Sequence, residues 1–141
     1  MTQYILGMGC DRGTSINTLN TAVDNALTKM TISYKNIHSL ATIDKKSDEV
    51  GLLELSRANN WPLQFYTAEQ LSTVEVPNPS EVVLKYMGTP AVAEAAALLA
   101  AKTGIENLVL EKYKYRGDDN KNATVSIVKI NSDELVKHKI N

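Results

Sequence analysis

The residues whose types could do chemistry cluster near the start of the chain, in the stretch GMGCDRGTS, residues 7–15. Glycines let the backbone approach a ligand, and the first amide groups of a helix point towards an anion. An arginine adds a planar guanidinium that can bind a carboxylate or a phosphate through two hydrogen bonds. The stretch therefore predicts an anion-binding turn. Its candidate ligand-binding residues are Gly9, Arg12, Gly13, Thr14 and Ser15.

A nucleotide site is an alternative for this turn, but its motifs are incomplete. In the dinucleotide fingerprint Gly-x-Gly-x-x-Gly, Gly7 and Gly9 fit, whereas the third position falls on Arg12 and Gly13 comes one residue late. A phosphate loop would need a lysine directly before Thr14, and glycine stands there. A nucleotide-binding module therefore stays open as the less favoured alternative.

Three side chains could catalyse a hydrolysis, which needs a nucleophile or a base that activates water. Cys10, beside a helix start, could have a lowered thiol pKa and act as the nucleophile, or it could be a buried structural cysteine. Asp11 or Glu81 could act as the base, although Glu81 also fits a capping box. The candidate catalytic residues are thus Cys10, Asp11 and Glu81. Two histidines and one cysteine make a poor ligand set, so we expect no metal and no cofactor.

Two later turns have the composition of helix starts. Asn78 and Thr89 each precede a proline, and both are residue types that cap helix N-termini, where proline suits the first helical position. Such turns could offer further amides and hydroxyls to a ligand with several carboxylates, or they could be ordinary caps with solvent outside. The candidate ligand-binding residues here are Asn78, Ser80 and Thr89.

A basic stripe near the end of the chain is a further candidate. Lys112 and Lys114 alternate with Tyr113 and Tyr115. Because successive side chains of a strand point to opposite faces, the lysines share one face and the tyrosines the other. The lysine face is either a second carboxylate-binding stripe, with Lys112 and Lys114 as ligand-binding residues, or a solvated outer face.

Strands and helices alternate along the first half of the chain, and these elements must position the turn. Short apolar runs predict strands at 4–8, 38–43 and 62–66. Apolar residues at steps of three and four predict a helix over 16–30. Ser47 is predicted to cap a second helix, with Asp48 and Glu49 in its first turn. The alternation indicates parallel βαβ units.

The second half adds antiparallel pairing. Thr67 and Gln70 fit a capping box, and an alanine-rich helix ends at Gly104. Two β-rich runs, 107–115 and 124–130, are joined by a polar turn, which is typical of a β-hairpin. We therefore expect an α/β fold: a three-layer α/β/α sandwich on a mixed sheet of about five strands, ending in a β-hairpin.

The bulk composition indicates one domain, 1–130, followed by a polar C-terminal tail, 131–141. With 141 residues, 43% hydrophobic residues and a net charge of −1, the chain has no overall basic field for nucleic acid. No apolar run is long enough to span a membrane, and the first residues lack the pattern of a signal peptide. Its single cysteine excludes an intrachain disulfide. We expect a cytoplasmic protein that binds neither nucleic acid nor membranes.

Four motifs, taken in order, resemble one known family. GMGCDRGTS, LATIDKKSDEVGLLELS, NPSEVV and MGTPAVAEAAALLAA are similar to the cobalamin-biosynthesis family of CobE and the C-terminal domain of CbiG, over roughly 4–130. The resemblance implies a three-layer α/β/α domain that works in the corrin pathway to vitamin B12. It implies as partners a corrin or precorrin intermediate, a macrocycle rimmed by carboxylates, and other enzymes of the pathway. Asp11 departs from the family's loop, which usually has a basic residue there, and removes one positive charge from the expected site.

The resemblance implies two functions. The longer CbiG proteins are assigned hydrolysis of a lactone on cobalt-precorrin-5A with release of acetaldehyde, and this chain resembles only their C-terminal part. One prediction is a protein that binds a carboxylate-rich corrin intermediate. The alternative is a cobalt-precorrin-5A hydrolase, working alone or with a separate chain that supplies the N-terminal part.

Overall fold

The computed structural model describes residues 2–76 and 92–131, and in these ranges five strands form one mixed sheet. The strands are β1 (Tyr4–Cys10), β2 (Ile37–Ile43), β3 (Leu63–Tyr66), β4 (Leu108–Arg116) and β5 (Asn122–Lys129), in the spatial order β3-β2-β1-β5-β4. The first three strands are parallel neighbours, whereas β5 is antiparallel to both β1 and β4. The predicted mixed sheet and its closing hairpin are confirmed.

Two apolar cores lie on opposite faces of the sheet. The described helices are α1 (Ile16–Met30), α2 (Val50–Asn59), α3 (Ala68–Leu71) and α4 (Val92–Ala101). Leu6 and Met8 of β1 belong to the core of α1 and α2, whereas Ile5 belongs to the core of α3 and α4. This division follows from the alternation of side chains along a strand. A helical layer on each face makes the three-layer α/β/α sandwich that the sequence predicts.

The packing of α4 on β1 depends on a missing side chain. A Cβ atom on Gly7 would lie 1.8 Å from the carbonyl oxygen of Ala93, so only glycine permits this approach of helix to strand. The close contact sets Glu94, the next residue of α4, beside the carboxyl end of β1. Gly7 therefore determines where one wall of the candidate site lies.

The predicted start of α2 is wrong by two residues. Lys46 and Asp44 belong to a 3-10 turn, and the Ser47 amide donates to the Asp44 carbonyl, so Ser47 ends that turn. The helix begins at Val50, with Glu49 in the extended backbone of the capping position. Asp48 therefore lies outside the helix, where it is free to meet a residue of another loop.

Other predictions about local structure have mixed outcomes. The capping box of Thr67 and Gln70 is confirmed by reciprocal hydrogen bonds of 3.0 and 2.8 Å. The candidates Asn78, Ser80, Glu81 and Thr89, and residues 132–141 of the predicted tail, lie outside the described residues. Within the described part of the chain, no helix is long and apolar enough to cross a membrane.

Candidate functional site

A cavity of about 530 Å³ lies at the carboxyl ends of β1 and β2. Strand β1 contributes Gly9 and Cys10, β2 contributes Thr42 and Ile43, and α4, β4 and β5 supply the other described walls. In open α/β sheets ligands bind at this edge, where the strand order reverses direction along the chain. The volume falls within the range of small-molecule sites, about 300–1,000 Å³. We call this cavity the cleft.

Six of the predicted site residues meet in the cleft. They come from the β1 turn and from β4, two segments about a hundred positions apart in sequence: Gly9, Cys10, Asp11, Arg12, Lys112 and Lys114. Among all the described lining residues, four side chains are basic, Arg12, Lys46, Lys112 and Lys114, and two are acidic, Asp11 and Glu94. A concave surface with excess positive charge attracts anions, although the whole chain carries a net charge of −1.

The remaining turn residues, Gly13, Thr14 and Ser15, are not among the described lining residues of the cleft. The Gly13 amide donates to Glu49 Oε1 at 3.0 Å, and the Ser15 amide donates to Asp119 Oδ2 at 3.0 Å. The hydrogen bonds from Ser15 are the main reason why the pKa of Asp119 falls to about 2. The turn does bind anions, as its composition indicates, but these are the protein's own carboxylates. Ligand binding by these three residues stays a prediction.

Arg12 reaches the cleft but is engaged by neighbouring residues. Its Nη1 donates to Asp48 Oδ1 at 2.6 Å, and its Nη2 donates to the Lys45 carbonyl. The hydrogen bond from Arg12 lowers the pKa of Asp48. The arginine side chain is 58% exposed, so solvent screens this ion pair. A ligand carboxylate would therefore compete with Asp48 for the guanidinium.

Asp11 fastens the β1 turn to the start of β5. Its Oδ2 accepts from the Asn122 backbone amide at 2.8 Å and from Asn122 Nδ2 at 2.9 Å, while the Asp11 amide donates to the Asn122 carbonyl. These bonds explain an aspartate at a position where the resemblance implies a basic residue. One carboxylate oxygen is thus committed to structure, and the role of Asp11 as a base stays a prediction.

Of the two roles open to Cys10, a nucleophile with a lowered thiol pKa and a buried structural cysteine, its surroundings favour the second. Burial raises the pKa of Cys10 to about 11, and this effect outweighs the nearby positive charge of Lys46. The amides of Gly13 and Ser15, in the turn before α1, are already bound to Glu49 and Asp119. A thiol with this pKa stays protonated at neutral pH and is a weak nucleophile.

The alternation along β4 is confirmed. Tyr113 and Tyr115 pack against the core formed with α1, and Asn25 of that helix donates to the Tyr113 hydroxyl at 3.1 Å. Lys112 and Lys114 point to the other face and line the cleft. Both lysines therefore border the cleft, and their binding of carboxylates stays a prediction.

Glu94 is a cleft residue that the sequence interpretation missed. Its side chain is 0% exposed, and Lys112 Nζ lies 3.3 Å from its Oε1. Among the described residues, no group other than the Lys112 ammonium is found as a partner of its carboxylate oxygens. Desolvation raises the pKa of Glu94 more than the charge of Lys112 lowers it. The available signal was a single acid within the apolar run AVAEAAALLAA.

Comparisons with known proteins agree with this picture. A family model described as "Cobalamin synthesis G C-terminus" matches residues 4–128. The chain is 36% identical over 128 residues to a protein of Priestia megaterium named "Cobalt-precorrin-5A hydrolase", covering 91% of the chain and 32% of that protein. It is 31% identical over 99 residues to "Protein CobE" of Sinorhizobium sp, covering 69% of the chain and 64% of that protein. The chain therefore spans about a third and about two thirds of the length of these relatives.

Two solved structures have the same fold. The crystal structure of CobE, described as a protein from the cobalamin biosynthetic pathway, superposes with a TM-score of 0.77 at 31% identity and covers 92% of each chain. The cobalamin biosynthesis protein chiG from Agrobacterium tumefaciens gives a TM-score of 0.63 at 27% identity, covering 92% of this chain and 99% of the other. By sequence and by fold, the chain belongs to the cobalamin synthesis G C-terminus family, a family of cobalamin biosynthesis proteins.

Proposed function

We propose that this protein binds a carboxylate-rich corrin or precorrin intermediate in the cleft. The observation that carries the proposal is the convergence of four basic side chains on one cavity at the carboxyl end of the sheet. The apolar part of the cleft wall, which includes Ile43 and Val92, suits the face of a macrocycle, and the lysines suit its carboxylates. The family membership supplies the pathway from which the ligand comes.

The part of the macrocycle that does not enter the cleft would lie outside it, with carboxylates of its rim near the lysines. A carboxylate rim presents several anions at once, so each lysine can bind a separate carboxylate as a point charge. Lys114 is exposed, and Lys112 is partly buried beside Glu94. We therefore expect binding that weakens with salt, because exposed charge pairs are screened.

The test is an absorbance titration with hydrogenobyrinic acid, a corrinoid with free carboxylates, and with an equal amount of ATP as the control ligand. We expect a saturable spectral shift with the corrinoid. We expect no thermal stabilisation by ATP, which a nucleotide site would produce. Lys114→Met should weaken corrinoid binding about fivefold, the upper end for an exposed ion pair. Lys129→Met removes the same charge from an exposed position of β5 outside the cleft and should leave the affinity unchanged.

Two results would contradict the proposal. One is the absence of a spectral shift at any corrinoid concentration, and the other is an equal loss of affinity in both lysine variants. Stabilisation by ATP in place of the corrinoid would favour the nucleotide-binding alternative.

A second candidate function is hydrolysis of cobalt-precorrin-5A, and the name of the Priestia megaterium relative favours it. Because the chain spans 32% of that protein, the catalytic groups of that protein can lie elsewhere in its chain. The assay is the release of acetaldehyde from cobalt-precorrin-5A by this chain alone. Turnover would make the protein an enzyme in its own right, and binding without turnover would restrict it to the first function.

A further inference from the structure

Glu94 and Lys112 form an ion pair in the described part of the cleft, and the carboxylate of this pair is buried. Burying a carboxylate is costly unless hydrogen bonds and a countercharge replace its water. Glu94 is fully buried, and among the described residues its stabilising contact is the Lys112 ammonium, whose Nζ lies 3.3 Å from Oε1. The carboxylate therefore depends on where that ammonium lies.

Lys112 can reach in two directions. Its side chain is 20% exposed and lines the cleft, while its ammonium contacts the buried carboxylate of Glu94 in the cleft wall. An ammonium on a four-carbon stem has three donors and can turn towards a new acceptor. A ligand carboxylate that enters the cleft therefore competes directly with Glu94 for the same cation.

We propose that a ligand carboxylate replaces Glu94 as the partner of Lys112, and that Glu94 takes up a proton from solvent when this happens. The proposal rests on the proposed function and adds a regulation to the same site. The ion pair breaks, a new pair forms between Lys112 and the ligand, and the proton ends on a Glu94 oxygen. The net charge of the cleft walls rises by one as the anion arrives.

The physical reason is that a buried carboxylate without a countercharge binds a proton and becomes neutral. A carboxylate left in a dry site without its countercharge shifts its pKa upward until it binds a proton. In the free protein the pKa of Glu94 is already raised, because burial dominates. Among the described residues, the charged groups that act on it are Lys112 and Glu111 of β4, and the same cavity is lined by Arg12, Lys46, Asp11 and Lys114.

A proton taken up on binding makes affinity depend on pH. Where Glu94 is ionised in the free protein and protonated in the complex, the dissociation constant rises tenfold for each unit of pH. A neutral side chain at this position removes the dependence. It also frees Lys112 from an ionic competitor, so binding at high pH becomes tighter than in the wild type.

The experiment measures the dissociation constant of hydrogenobyrinic acid from pH 6 to 8.5 by absorbance titration, for the wild type, Glu94→Gln and Glu54→Gln. Glutamine matches glutamate in shape, and Glu54 is an exposed acid of α2 far from the cleft. We expect the wild type and Glu54→Gln to weaken at least fivefold across the range. Glu94→Gln should change less than twofold and bind more tightly at pH 8.5. Calorimetry in two buffers of different ionisation enthalpy should find about one proton taken up by the wild type and none by Glu94→Gln.

Each outcome decides a different claim. Equal pH slopes for the wild type and Glu94→Gln, with saturable binding in both, overturn the exchange and leave the proposed function standing. No saturable binding by the wild type at any pH overturns the proposed function itself. Titration of the ligand's own carboxylates contributes equally to all three proteins and therefore cancels in the comparison.

Discussion

Replacing Gly7 by alanine should lower the free energy of unfolding more than replacing Gly9 by alanine. An added Cβ on Gly7 would lie 1.8 Å from the Ala93 carbonyl oxygen and 2.7 Å from its carbon, whereas real Cβ contacts stay beyond about 3.0 Å. Helix and strand must then separate by roughly an ångström, which loosens the buried side of α4. Gly9 makes the matched control, because its added Cβ would meet Thr124 at 3.7 Å, an ordinary contact.

The magnitude follows from backbone meeting backbone, since neither partner can rotate away. Inserting an atom into a packed interior costs about 1–3 kcal/mol, and we take the upper end, about 3 kcal/mol. For a chain of this length that corresponds to a fall in Tm of about 10 °C. Gly9→Ala should stay within about 1 kcal/mol of the wild type, because alanine is favoured over glycine in a strand when space allows.

The assay is denaturant and thermal unfolding followed by circular dichroism for the wild type and both variants. A loss of less than about 1 kcal/mol in Gly7→Ala would refute the close packing of α4 on β1. Equal losses in the two variants would also refute it, because the argument depends on the difference between the two sites. In a Gly7→Ala protein that remains folded, corrinoid binding should weaken as well, since α4 supplies one wall of the cleft.

Three further predictions use the electrostatics of the turn and the cleft. The pKa of Asp119 is about 2 in the folded protein and near 3.8 when unfolded, so the stability contributed by its bond to Ser15 is present above pH 4 and lost as the pH falls towards 2. Asp119→Asn should therefore lower Tm at pH 7 and flatten the acid limb of a curve of Tm against pH. An unchanged acid limb would contradict this prediction. Asp48→Asn should tighten corrinoid binding about two- to threefold, because it releases Arg12 towards the cleft; weaker binding in a titration would show that Arg12 needs Asp48 to position it. Cys10 should react slowly with a thiol reagent at pH 8 and faster as the pH approaches 11, measured by release of the chromophore; a rate that already reaches its plateau below pH 8 would mean that the thiol is activated after all.

Much of the fold was predictable because its signals are local. The alternation of strand and helix, the capping box at Thr67 and the opposite faces of Lys112 and Tyr113 depend on residues close together in sequence. The start of α2 was not predictable in the same way. The sequence favoured Ser47 as the cap, but a 3-10 turn over Asp44–Lys46 ends at Ser47 and the helix begins after Glu49.

For the candidate site too, the local features were predictable from the sequence and the features that depend on distant residues were not. Composition identified an anion-binding turn, but it could not say which anion, because the carboxylates of Glu49 and Asp119 reach Gly13 and Ser15 from 36 and 104 positions away. The pKa of Cys10 likewise depends on burial, which is a property of the packed molecule.

By itself, the sequence determined that the protein is a mixed α/β domain, that its first turn attracts anions, and that four ordered motifs resemble a cobalamin-biosynthesis family. Periodicity, capping and motif order depend on residues that are close together in sequence, so they can be identified without knowing the fold. Only the tertiary structure decided that Lys112 meets the turn of β1 in one cleft, and that Glu94 is buried there beside Lys112. The reason is that desolvation and long-range ion pairs arise when segments distant in sequence come together, and no local pattern records them.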